Sequence, residues 1–176
     1  MMRRSISLAS FIDRAIVAVS VVIALTALVS MFVSLIAEVI VRYMTNQGLG
    51  WPTELPSLLF PWLVMSGVVL AAQRGQHIAV TAILGVLGRT ATRWLMMLLQ
   101  VMVGGTFFYL AYVGQGLLEI VGSEIYPVTG VSAYWAYLAM VAGFSAVGVT
   151  ALTTLLHLLL ADDPHSVRKH ISEEKK

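Results

Sequence analysis

The stretch Trp51–Val80, WPTELPSLLFPWLVMSGVVLAAQRGQHIAV, decides how the chain is read. It opens with a tryptophan, a proline and a carboxylate. It then runs without a charge from Leu55 to Ala72 and closes on Arg74, Gly75 and His77. That order fits a helix crossing a bilayer, with an aromatic edge, an apolar run of about 18 residues and a basic flank. Pro52 suits a first helical turn, where its missing N–H would be unpaired anyway. Pro56 and Pro61 fall further in. Pro61 predicts a bend or a freed carbonyl that a neighbour must re-satisfy. The other spans are expected to pack beside this one.

Composition agrees with a membrane solvent. Of 176 residues, 59% are hydrophobic and only 11% charged, against about 25% in soluble domains. The mean hydropathy is +0.87. A soluble protein of this length could not hide so much apolar surface. The net charge of +2 gives no ground for a nucleic-acid partner. With no cysteine, disulfides and thiolate metal sites are excluded.

Outward from the central stretch, the chain reads as one membrane domain, 1–176, all α, with four spans at about 15–37, 55–72, 94–118 and 132–161. The basic segment 1–14 could open a signal peptide, but the apolar run after it is too long for one and lacks a small-residue cleavage site. Glu38 and Arg42 stand four apart on the continuation of the first helix, acid before base, and are expected to pair. Residues 45–50, TNQGLG, are a turn signal. Segment 77–93 is expected to form an amphipathic helix along the interface. In the third span Gly104, Gly105, Gly114 and Gly116 would let helices approach closely. Residues 119–131 form an acidic loop with Glu119 and Glu124.

Ten Lys and Arg fall on one side of this layout: Arg3, Arg4, Arg14, Arg74, Arg89, Arg93 and four in the tail. Only Arg42 falls on the other. The positive-inside rule then predicts both termini in the cytoplasm. No repeat suggests an inverted-repeat carrier.

No catalytic chemistry is legible. The four histidines never take a ligand spacing with acids, and no nucleophile elbow or phosphate-binding loop occurs. The spans hold almost no charge, and His157 sits near a helix end as an interfacial histidine. The chain alone therefore reads as neither pore nor carrier. Glu38 reads as an interfacial charge, whereas Glu54, beside a proline-interrupted helix start, is expected to pair with another subunit. Arg74 and His77 fit a basic flank or a turn anchor equally well.

The order Arg42-Tyr43, Trp51, Glu54-Leu55, Phe60, Trp62, Gly67 and Arg74-Gly75-Gln76-His77-Ile78-Ala79-Val80 resembles the small membrane subunit of TRAP (tripartite ATP-independent periplasmic) transporters, the DctQ family. The motifs cover about Glu38 to Val80; the size and four-helix layout cover the whole chain. Thr53 and Thr81 stand where that family often has acids, and Val141 lies where its fourth helix often has a proline. The resemblance implies a bacterial inner-membrane scaffold, not an enzyme and without a cofactor. A large M-type subunit would hold the substrate and Na⁺ sites, and a periplasmic binding protein would deliver an organic acid such as a dicarboxylate or sialic acid. It implies a subunit interface at Glu38, Arg42, Trp51, Glu54, Trp62, Arg74 and His77, with membrane lipids around the rest. Outward-facing Glu119 and Glu124 would help dock the binding protein. Two other readings remain open: a stand-alone anchoring or assembly protein, and the small subunit of a tripartite tricarboxylate transporter.

Overall fold

The computed structural model describes residues 2–74 and 89–160. Its elements are four helices: α1 (Met2–Thr45), α2 (Trp51–Arg74), α3 (Arg89–Val121) and α4 (Tyr134–Leu160). Each is long and apolar enough to cross a membrane. The four expected spans are therefore all present, but their ends differ from the sequence reading. α1 runs unbroken through Asp13 at one end and through Glu38 and Arg42 at the other. Of the interfacial segment expected at 77–93, residues 75–88 lie outside the described residues, and 89–93 form the first turn of α3.

α2 continues as helix through both Pro56 and Pro61. α1 ends at Asn46, whose φ of 53° is the left-handed conformation that closes a helix. Thr53 starts α2 by donating its N–H and its hydroxyl to the Gly50 carbonyl, at 3.2 and 2.6 Å.

The centre of the bundle is α4, not α2 as the sequence suggested. α4 packs on α1, α2 and α3, whereas α3 packs chiefly on α4 alone. The reason lies in side-chain size. Ala136, Ala139, Gly143, Val147, Thr150 and Thr154 recur every three or four residues on α4, and all are buried. Such small residues let neighbouring backbones come close, which is how helices gain contact in lipid. A Cβ on Gly143 would lie 2.8 Å from the Cβ of Met65 on α2. On α3 only half of the expected glycine contacts form. Gly104 faces Ala151 and Gly114 faces Val141, while Gly105 and Gly116 meet open space.

The contacts fix directions. Trp62 meets Trp135, Met65 meets Gly143 and Gln73 meets Thr150, so α2 and α4 run the same way. Gly104 opposite Ala151 and Gly114 opposite Val141 make α3 antiparallel to α4.

Candidate functional site

Three carboxylates lie within or beside the apolar bundle, and each is held by the chain's own donors. Asp13 is 5% exposed, well inside the end of α1. Thr153 of α4 donates its hydroxyl to Oδ1 at 2.7 Å, and Gln73 of α2 donates Nε2 to the same oxygen at 3.2 Å. Gln73 also donates to Thr150 Oγ1 at 2.8 Å. His157 Nε2 stands 3.8 Å from Oδ2. One side chain thus joins three helices. The threonines can serve without unsatisfied groups because Thr150 and Thr154 pass their own hydrogens to the carbonyls of Ala146 and Thr150.

The sequence reading missed this centre because it began the first span at residue 15 and so left Asp13 in a solvated flank. A signal was present on α4. Thr150, Thr153, Thr154 and His157 stand at i, i+3, i+4 and i+7, a polar face inside an apolar helix.

At the other end, Glu38 is also buried, at 6% exposure. Its Oε2 accepts the Leu49 N–H at 2.9 Å, and a side chain on Gly48 would collide with the same carboxylate. The expected Glu38–Arg42 pair does not form among the described residues: Glu38 turns to the loop, and Arg42 lies exposed. Glu54 binds the loop between α3 and α4. Its oxygens accept the Val128 N–H at 3.0 Å, the Thr129 N–H at 2.8 Å and the Thr129 hydroxyl at 2.9 Å. That loop folds back on itself, with Tyr126 N–H on the Val131 carbonyl and Gly130 at a φ of 68°. Gly50 packs on Val128, so the two loops touch.

The other residues singled out from the sequence are scattered. Trp62 donates its indole N–H to the Trp135 carbonyl at 3.0 Å. Trp51 and Arg74 are exposed at opposite ends of α2, Glu119 and Glu124 are exposed beside the Glu54 loop, and His77 lies outside the described residues. Arg93 caps α4 by donating Nη2 to the Leu159 carbonyl at 3.0 Å.

A cleft of about 290 Å³ opens between α1, α2 and α4. Small and apolar side chains line it, with Ser20 and Ser66, so it offers no acid, base or metal donor set. Among the described residues no three His, Cys, Asp or Glu side chains group as metal ligands.

These features describe a helical membrane unit in which Asp13, Glu38 and Glu54 are held by internal ties, and comparison with known proteins agrees with a membrane subunit. Residues 31–161 match the family model for the DctQ component of tripartite ATP-independent periplasmic transporters. The ectoine TRAP transporter small permease protein TeaB of Halomonas elongata is 25% identical over 86% of this chain and 80% of its own length. A Haemophilus influenzae protein with the provisional name TRAP transporter small permease protein is 24% identical over 76% of this chain and 79% of its own. The uncharacterized protein y4mM of Sinorhizobium fredii is 32% identical over 74% of this chain. The chain spans only about a quarter, 24%, of that longer relative. The family match covers most of the chain, from the last third of α1 onward, and with it the chain belongs to the DctQ family, the small permease subunits of TRAP transporters.

Proposed function

We propose that the chain is a static scaffold for the large, substrate- and Na⁺-translocating subunit, in binding-protein-dependent uptake of an organic acid such as a dicarboxylate or sialic acid. The observation that carries this reading is the use of its carboxylates. Asp13, Glu38 and Glu54 all accept hydrogen bonds from the chain itself. A transport path needs ionisable or unwound polar groups turned toward the cargo. Here they are turned toward neighbouring helices and loops, which stiffens the unit. y4mM supports a role beside other polypeptide, because its related segment is covalently part of a much longer chain.

Arg42, Trp51 and Arg74 are exposed and available to a partner. Glu38, Glu54 and Trp62 would act on an interface indirectly, through the loops and helix they hold. With ten of eleven Lys and Arg on one side, both termini would face the cytoplasm and the Glu54 loop the periplasm. Glu119 and Glu124 would then be placed to meet the binding protein.

Reconstitution tests the scaffold reading. Liposomes holding both membrane subunits should take up the organic acid with Na⁺ and binding protein, and should fail without the small subunit. Full uptake by the large subunit alone would overturn the reading. Reversing the charge of Glu119 and Glu124 should weaken binding-protein affinity; unchanged affinity would remove the docking role.

A further inference from the structure

α3 is the least enclosed helix of the four. The side holding Gly104, Ala111, Gly114 and Leu118 is buried or half-buried. The opposite side carries Leu98, Val101, Gly105, Tyr109, Tyr112 and Gly116. Their spacings of three and four residues place all six on one face. All six are exposed, Tyr109 at 67% and Tyr112 at 75%. A Cβ built on Gly105 or Gly116 would meet no atom within 4 Å.

This face differs in kind from the outer face of α1. There Val22, Leu25, Val29, Phe32 and Ile36 are exposed, and all are hydrocarbon. Acyl chains satisfy such a surface completely. The α3 face instead carries two phenol hydroxyls inside the span Arg93–Val121. At about 1.5 Å per residue, Tyr109 lies roughly 3 Å and Tyr112 roughly 8 Å from the middle of that span. Both stand on the Val121 side of the middle, and helical side chains lean toward the helix N-terminus. The rings therefore lean back toward the bilayer centre rather than out to the nearer surface. Tyrosines facing lipid normally sit at the interface, where the hydroxyl reaches water. Among the described residues neither hydroxyl has a hydrogen-bond partner. Acyl chains offer no acceptor, so a hydroxyl held there bears its desolvation cost unrelieved. A facing helix can supply acceptors, and the two open glycines leave room for it to come close.

We propose that the Gly105–Tyr109–Tyr112–Gly116 face of α3 seats a transmembrane helix of the large subunit, which supplies acceptors to the two phenol hydroxyls. This rests on the preceding reading that such a partner exists. A larger partner fits better than a second copy. In y4mM the related segment is one quarter of the chain, so a unit of this kind is joined there to further polypeptide rather than standing alone.

Photo-crosslinking in membranes that contain the whole transporter tests the seat. Benzoylphenylalanine replaces Tyr109 or Tyr112 in one set and Val29 or Phe32 of α1 in another, and adducts are identified by mass. Adducts with the large subunit should dominate at 109 and 112, and lipid adducts at 29 and 32. Tyr109→Phe with Tyr112→Phe should lower recovery of the large subunit about tenfold, the loss expected for two ordinary interhelical hydrogen bonds in a membrane. Gly105→Trp should block recovery while leaving the chain's own unfolding unchanged, because its side chain enters open space. Adducts at 109 and 112 with only lipid or a second copy would overturn the proposal, as would undiminished recovery with Gly105→Trp. If the unaltered chain recovers no large subunit, the scaffold reading itself falls, and this inference with it. If it does recover one and the adducts map to α1, the seat alone falls.

Discussion

The two ends of the bundle are held in opposite ways. At the Glu54 end, carboxylates on helices accept backbone N–H groups of loops, Glu38 from Leu49 and Glu54 from Val128 and Thr129. At the Asp13 end, a side chain on α1 meets side chains on α2 and α4 directly. The first arrangement shapes loops that stand outside the apolar core. The second fixes how helices sit against one another. Loss of a tie should therefore be local at one end and global at the other.

The largest effect should come from Asp13→Ala. It strips the acceptor that Thr153 and Gln73 share; the Thr153 hydroxyl can turn to the Thr150 carbonyl at 3.0 Å, but one Gln73 N–H is left buried and unmatched, at a cost of about 2 kcal/mol. Unfolding in mixed micelles should show a lower midpoint, and α1 should gain protease sensitivity before α3. An unaltered midpoint would mean that packing alone joins the three helices. Glu38→Ala should come next, at about 1 kcal/mol for one part-buried amide left without its acceptor. Its effect should concentrate on the Leu49 amide, read by hydrogen exchange. Glu54→Ala should speed exchange at Val128 and Thr129 several-fold while leaving the unfolding midpoint almost unchanged. A large midpoint shift there would erase the distinction between the ends. Smallest should be His157→Gln, within about 0.5 kcal/mol, because the imidazole stands 3.8 Å from the carboxylate and is partly exposed.

The same contrast explains what the sequence could tell. The four helices were legible because a bilayer demands long apolar runs, and such runs are local. Their ends were not, since reading a span stops at the first charge. Asp13 and Glu38 belong to helix interiors only because donors at Thr153, Gln73 and Leu49 meet them, and two of those lie 60 or more residues away. Glu54 was expected to pair with another subunit, whereas in the structure a loop of its own chain supplies its donors. α4 as the central helix was half legible. Its run of alanine, glycine and threonine is plain, yet hydropathy ranks such residues below leucine and so points elsewhere. Gly104 and Gly105 are neighbours in sequence with opposite surroundings, and nothing local tells which of them faces α4.

The shared direction of α2 and α4 shapes the electric field at one end of the bundle. Antiparallel helices set positive and negative dipole ends side by side and largely cancel. This pair instead brings two C-termini together, each with about half a unit of negative charge. At that same end the N-termini of α1 and α3 contribute the opposite partial charge, and the Asp13 carboxylate adds a negative one. Arg74 in the last turn of α2 and Arg93 on the last carbonyls of α4 stand where cations offset it. These arginines thus sit beside helix C-termini whose partial negative charge they offset. Moving them should disturb the fold even where insertion is correct.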